Sequence, residues 1–305
     1  MGKSLVTGID IGHHSLKAVV IKPVCEAHVL VGYHEVAVTN AIFSDNHKLN
    51  YQEIVKKLKE LRKGLPWFNG KVAISVPDNV VITKTLQLDS APAADEEALA
   101  VSEAFVRQSA FPAQALSLDF VPVSSVELRY QVYATKRELV EQWTRVLKRA
   151  GLRPLYMTTD TQALLQLWQQ TPALSERNAL LVDVGLTRTL IGRNFVTQPA
   201  FYKTLEHRPA GDTPRLDPEQ LISQLRRDIQ MCRSVHGEES VQCLVLTGGG
   251  AQSMAPRLSA ALALPCQLEV PWPLLEQIPQ GGASFAGALG IALRALHWQE
   301  SRYGA

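Results

Sequence analysis

The chain has little of what would take it out of the ordinary globular class. Of its 305 residues only four are cysteine, Cys25, Cys232, Cys243 and Cys266, and no two form a Cys-x-x-Cys pair. A core of this size needs no disulfide staples, so reduced thiols in a cytosol are expected. No apolar run approaches the roughly 18 to 20 residues that cross a bilayer. No basic stretch followed by an apolar one precedes Leu5-Val6-Thr7-Gly8-Ile9-Asp10, so no secretory leader is expected. Charge of one sign is missing too: 31 Lys and Arg against 29 Asp and Glu leave a formal +2. That balance argues against a nucleic-acid surface, and direct DNA binding is not expected. No Gly-x-x-x-x-Gly-Lys-Ser/Thr run occurs, which excludes a P-loop enzyme.

What is present is a chain with 46% hydrophobic and 20% charged residues, enough to bury a sizeable core and unlike a disordered, collagenous or coiled-coil composition. At roughly 150 residues per domain the length suggests two domains. The first forty residues read as three strands, Leu5 to Ile11, Leu16 to Ile21 and Val29 to Val38, rich in β-branched residues and broken at Gly12-His13-His14-Ser15 and near Pro23. A helix from Tyr51, with Ile54, Val55, Leu58 and Leu61 on one stripe, stops at Gly64 before a strand over Lys71 to Val76.

From Asn79 to Gly151 the pattern reads strand (Val80 to Leu88), helix (Asp95 to Ala110), strands (Ser117 to Val121 and Tyr130 to Ala134) and helix (Arg137 to Ala150). This is a compact β-α-β-β-α unit inserted into a larger α/β sheet. Leu155 to Thr158 and a helix over Thr161 to Gln169 return to the main sheet, and Ala179 to Val184 then repeats the opening of the chain. A helix capped by Asp217 with Pro218 at its first position follows. Strand Cys243 to Thr247, a glycine run, a helix over Ser253 to Ala263, a strand over Gln267 to Val270 and a helix over Phe285 to Leu296 complete the chain.

Three motifs carry chemistry. Asp10-Ile11-Gly12 ends a buried strand and Gly12-His13-His14-Ser15 turns it back. A glycine turn of this kind lets backbone N–H groups approach phosphate oxygens, with donors added by Ser15 and Lys17. Asp10 suits the hydration shell of a Mg²⁺, which keeps most of its water. Asp183-Val184-Gly185, followed by Thr187 and Thr189, offers the same chemistry again, with Asp183 as a second water-mediated metal contact. One such hairpin is usually only a turn; two at domain spacing clamp a triphosphate from opposite sides of a cleft.

Thr247-Gly248-Gly249-Gly250-Ala251 is the third motif, flat enough to lie against a nucleoside. Its competitor is a dinucleotide fingerprint, Gly248-x-Gly250-x-x-Ser253 with Glu269 about 20 residues on, which leaves both hairpins unexplained and so ranks lower.

In this order, with the small-residue helix Gly282-Ala283-Ser284-Phe285-Ala286-Gly287-Ala288, the motifs resemble the actin, heat-shock chaperone and sugar kinase superfamily. Within it the chain is similar almost end to end to the PilM family of type IV pilus assembly proteins and its enterobacterial HofM relatives, associated with DNA utilisation. The resemblance rests on Gly8 to Lys17 and on the insert where PilM and FtsA place their subdomain 1C, with Val80-Val81-Ile82-Thr83-Lys84, Lys136-Arg137-Glu138-Leu139-Val140 and Ala150-Gly151-Leu152. It extends to Leu225-Arg226-Arg227-Asp228-Ile229-Gln230 and Ala288-Leu289-Gly290-Ile291-Ala292-Leu293-Arg294.

The resemblance implies duplicated actin-like (ribonuclease H-like) α/β lobes. Residues 1–78 and 152–177 would form lobe 1, residues 79–151 a 1C-type α+β insert, and residues 178–305 lobe 2 with a reduced 2B region over 201–240. It implies ATP and Mg²⁺ held by Asp10, Gly12, His13, His14, Ser15, Lys17, Asp183, Gly185, Thr187, Gly248, Gly249 and Gly250. It also implies a cytoplasmic protein recruited to the inner membrane by the N-terminal cytoplasmic peptide of a bitopic PilN or HofN partner, in a groove between the first lobe and the insert. Val80, Ile82 and Phe105 fit that groove or the core equally.

Blander readings accompany several residues. Adjacent His13 and His14 face different sides of a hairpin and lack a third ligand, so a place beside phosphate suits them better than a metal. Asp160 is a candidate to orient a water on the γ-phosphate, or an N-cap. Lys56-Lys57-Lys59 reads as a solvated helix face, Trp143 and Trp168 as core anchors, and Trp272 between prolines as exposed. The leading function is a nucleotide-dependent scaffold with at most slow ATP hydrolysis. A small-molecule kinase would need a general base beside the first phosphate loop, and none is evident. An FtsA-like cell-division protein would need an amphipathic anchor, for which the tail after Leu296 is short.

Overall fold

The computed structural model describes residues 5–24, 27–38, 50–66, 71–93, 95–124, 127–195, 200–207, 209–210, 213–214, 216–268, 272–279 and 281–303. The chain divides into two compact units, Met1–Val76 with Arg149–Ala305, and Pro77–Lys148.

The larger unit opens with β1 (Val6–Ile11), β2 (Ser15–Val24) and β3 (Ala27–Ala37), then α1 (Tyr51–Lys63) and β4 (Lys71–Val76). The Asn50 side chain caps α1 by accepting from the Glu53 N–H, and Ile54, Leu58 and Leu61 form its buried stripe. The smaller unit holds β5 (Ile82–Gln87), α2 (Glu97–Arg107), β6 (Leu116–Ser124), β7 (Arg129–Lys136) and most of α3 (Arg137–Arg149). Its antiparallel sheet runs β5-β7-β6 and closes a core of Leu86, Val101, Phe105, Leu116, Tyr130 and Val132. Phe105 belongs to that core, whereas Val80 and Ile82 are exposed.

The larger unit resumes with β8 (Arg153–Thr159), α4 (Asp160–Gln169), α5 (Pro172–Glu176), β9 (Ala179–Val184), β10 (Arg188–Arg193) and β11 (Phe201–Glu206). A two-residue ladder of β12 (Pro209–Ala210) and β13 (Thr213–Pro214) leads to α6 (Pro218–His236), whose first N–H groups at Glu219 and Gln220 donate to the Asp217 carboxylate. Then come β14 (Cys243–Thr247), α7 (Ala251–Leu262), β15 (Cys266–Gln267), α8 (Pro273–Glu276) and α9 (Ala286–Tyr303).

Two five-stranded sheets result, ordered β3-β2-β1-β4-β8 and β11-β10-β9-β14-β15. In each, an antiparallel hairpin adjoins two parallel strands, so the second sheet repeats the first in order and direction. Each parallel strand needs a crossover, supplied by α7 between β14 and β15. In the first sheet the smaller unit and α3 occupy the equivalent place between β4 and β8.

One buried cluster joins α4 and α9 to the inner faces of both sheets, and a second lies between the outer face of the second sheet and α6 and α7. The joint is tight. A Cβ on Gly8 of β1 would run into the Ala288 carbonyl and lie 2.5 Å from the Ala292 nitrogen, and one on Gly290 of α9 would run into the Ala163 carbonyl of α4.

Several boundaries differ from the sequence pattern. The expected strand over Val80 to Leu88 begins at Ile82, because Asp78–Val80 close a 3-10 turn on Pro77. The helix expected from Asp95 to Ala110 covers only Glu97–Arg107; turn bonds from Gln108 and Ser109 end it before Pro112. Ala251 opens the helix expected from Ser253, and β15 is Cys266–Gln267, with Glu269 and Val270 outside the described residues. Trp143 and Trp168 are buried, but so is Trp272, against its expected exposure: its indole N–H donates to the Leu167 carbonyl at 3.0 Å. Cys232, Cys243 and Cys266 are free thiols raised in pKa by burial; Cys25 lies outside the described residues.

Because the Gly8 contacts are backbone atoms that cannot swing aside, Gly8→Ala should lower stability by about 2 kcal/mol through overpacking, read as an earlier urea midpoint with unchanged slope.

Candidate functional site

Both hairpins end their first strand in the same way. The Gly12 N–H donates to the Ser15 carbonyl at 3.1 Å, and the Gly185 N–H to the Arg188 carbonyl at 3.0 Å. A side chain is barred at each turn, since a Cβ would lie 3.0 Å from the Ser15 oxygen or 2.6 Å from the Arg188 oxygen. Two residues before each glycine stands the aspartate, Asp10 or Asp183, and three after it stands Ser15 or Arg188.

Across the second sheet the Thr247 hydroxyl donates to Asp183 Oδ1 at 2.8 Å, and β14 runs on into the glycine loop. Gly248 adopts φ +87°, where its missing Cβ would otherwise lie 2.5 Å from the Val184 carbonyl. The Gly250 N–H donates to that carbonyl at 2.9 Å, while nothing approaches the open face of Gly249.

Thirteen of the residues singled out in the sequence line one cleft of about 770 Å³: Asp10, Gly12, His13, His14, Ser15, Lys17, Asp160, Asp183, Gly185, Thr187, Gly248, Gly249 and Gly250. That volume is within the roughly 300 to 1,000 Å³ of small-molecule sites. Polar contacts of cleft-lining residues cross between the halves. His13 Nδ1 lies 3.2 Å from the Thr187 hydroxyl, and Arg188 Nη2 lies 2.7 Å from Asp160 Oδ2. Lys17 pairs with Glu35 at 3.5 Å.

Asp160 is not an N-cap. Thr159 caps α4 by accepting from the Gln162 N–H, and Asp160 is the first helical residue, 7% exposed, its Oδ1 accepting from the Ser75 hydroxyl at 2.6 Å. Thr189 is also elsewhere: strand alternation turns it inward to His207, at 2.9 Å, and brings Arg188 to the cleft. Reading the sequence missed Arg188 because Thr187 and Thr189 looked like the natural donors. The signal was there: Arg188 stands three residues after Gly185, as Ser15 stands after Gly12.

Burial pushes the Asp183 carboxyl up to about 6, and the Asp10 charge adds to the rise, while the Thr247 hydrogen bond, Lys17 and Arg188 oppose it. Among the described residues no three His, Cys, Asp or Glu side chains gather to hold a metal directly. Two carboxylates at the floor of a cleft fit a Mg²⁺ held through water, with phosphate oxygens completing its shell.

A duplicated sheet with mirrored hairpins over one cleft is an actin-like ATPase fold. Among solved structures, the PilM-PilN type IV pilus biogenesis complex aligns with a TM-score of 0.74 at 21% identity, covering 95% of this chain and 98% of that one. The diol dehydratase-reactivating factor in nucleotide-free form aligns at 0.50 with 9% identity, covering 97% and 100%. The ethanolamine utilization protein EutJ from Carboxydothermus hydrogenoformans reaches 0.49 with 13% identity, covering 96% and 90%. No curated protein matches in sequence. The family model described as type IV pilus assembly protein PilM matches residues 8–194, more than half of the chain, and the chain belongs to that family.

The raised Asp183 pKa fixes a pH dependence. A carboxyl that binds its proton more tightly folded than unfolded adds stability below its unfolded value of 3.8 and loses that contribution as pH rises through about 6. Asp183→Asn should therefore stabilise the nucleotide-free protein at pH 8, by at most about 3 kcal/mol, and hardly at all at pH 4. Melting temperatures of both proteins across that range check it.

Proposed function

We propose that this chain is a cytoplasmic ATP-binding scaffold of a type IV pilus or DNA-uptake machine, and that it grips the cytoplasmic N-terminal peptide of a PilN-type inner-membrane protein. The observation that carries the reading is the pair of matched hairpins facing one cleft, each offering a glycine turn and a strand-end carboxylate. Family membership and the solved PilM-PilN complex support the partner.

In this reading Asp10 and Asp183 hold the water shell of Mg²⁺, and the turns at Gly12 to Ser15 and Gly185 to Thr187 wrap the phosphates with backbone N–H groups. The face of Gly248 to Gly250 lies along the nucleoside. A Mg²⁺ held through water by Asp10 and Asp183 would supply positive charge beside the phosphates and beside the buried Asp183 carboxyl.

Hydrolysis is at most slow. Asp160, the group placed to orient a water, is neutralised by Arg188 and held by Ser75. ATP binding joins the two halves, and because linkage is reciprocal, it shifts affinity for the partner peptide as the peptide shifts affinity for ATP.

Calorimetry with Mg-ATP tests the site. Asp10→Ala and Gly185→Val should abolish binding while the variants melt cooperatively, and pull-downs with short N-terminal peptides of bitopic membrane proteins should weaken in both. Unchanged ATP affinity in the two variants refutes the assignment. Arg188→Gln should weaken ATP more than ADP, by about tenfold, if a charge-assisted bond to the terminal phosphate is lost.

A further inference from the structure

Away from the cleft, the larger unit gathers positive charge beside α1. Lys56, Lys59 and Lys63 follow one another at three- and four-residue spacing and share an exposed face of that helix. The end of α3 brings Arg149 to the same face, its guanidinium 5.3 Å from the Tyr51 ring centroid. With Val55, these residues line an open hollow of about 720 Å³. Arg62 reaches Gly151, and two residues on stands Arg153, paired in register with Lys71.

The acidic residues of α1, Glu60 on the hollow among them, offset only part of this charge. Glu53 is 3.9 Å from Lys56 and Glu60 is 3.1 Å from Lys57. Lys59, Arg62, Lys63, Arg149 and Arg153 make no ion pair among the described residues. So dense a local excess on a chain of net charge +2 is a separated charge pattern, the kind that a phosphate-bearing surface recognises.

We infer that this face docks on the anionic phospholipid headgroups of a bilayer. Four to eight lysines and arginines on one helix-borne patch are the signature of such binding, and lysine stems allow each ammonium to follow a fluid headgroup layer. Nucleic acid fits less well: single strands need open aromatic platforms, and Tyr51, the one aromatic ring of the hollow, is covered by Arg149. The bilayer as occupant rests on the reading above, which sets the chain beside a membrane-anchored peptide. A short tether raises the effective concentration of the surface, so contacts that hold the protein alone at low salt also orient it at higher salt once it is tethered.

Vesicle flotation of the full chain tests this without partner peptide or nucleotide. Vesicles of phosphatidylcholine with about 30% phosphatidylglycerol should carry the protein at low salt, pure phosphatidylcholine should not, and raised salt should release it. Each cation removed should weaken partition about fivefold. K59Q/K63Q should therefore lose about twentyfold or more, and K56E/K59E/K63E should abolish flotation, with melting curves confirming that both fold.

Equal flotation with neutral vesicles, no flotation with anionic ones, or undiminished flotation of the charge variants overturns the inference. So does displacement from the vesicles by a short oligonucleotide at equal phosphate concentration. Asp10→Ala should float like the parent protein, which separates failure here from failure of the nucleotide site.

Discussion

The approach of α9 to β1 and α4, backbone against backbone, is the constraint on which the rest depends. Gly8 leaves no room for a methyl group under Ala288 and Ala292, and Gly290 leaves none over Ala163. Small residues at these points let the helices lie directly on the sheet, so the two sheets share one core through α4 and α9. Close packing transmits strain because interiors have no slack. The same contact sets the cleft: a Cβ on Gly287, at the start of α9, would sit 3.1 Å from Asp10 Oδ2, so the helix that joins the halves also fixes where the first carboxylate points.

Electrostatics in the cleft works against stability. Burial and the Asp10 charge raise the cost of ionising Asp183, and Thr247, Lys17 and Arg188 relieve it. Natural sites commonly keep such unfavourable charge for a ligand that neutralises it. Arg188 and Asp160 form the complementary arrangement, an ion pair that spans the halves and holds charge balanced until another anion competes for the guanidinium. The cationic side of α1 is a separate case: its charge is exposed, salt-sensitive and oriented outward, whereas the cleft's is inward and screened little.

Much of the site was legible because its chemistry is local in sequence. A glycine turn needs its glycine at one position, and the strand-end aspartate stands a fixed two residues before it, so Asp10-x-Gly12 and Asp183-x-Gly185 could be read without coordinates. Side-chain direction was less legible. Thr189 looked like a phosphate donor but alternation turns it to His207, and Arg188 takes the cleft instead. Asp160 looked like a cap until Thr159, one residue earlier, took that role. Trp272 looked exposed between prolines, yet a carbonyl more than a hundred residues away, on Leu167, accepts its N–H.

By itself the sequence determined the elements, the repeat and the residues able to hold phosphate, because period, glycine and proline act over a few residues. Tertiary structure alone decided which of these residues meet. Ser75, Asp160 and Arg188 come from three separate strands or helices of the chain, and the cations of the hollow beside α1 from α1 and the end of α3. Such groupings depend on long-range packing and on strand register, where a shift of one residue turns every side chain to the opposite face.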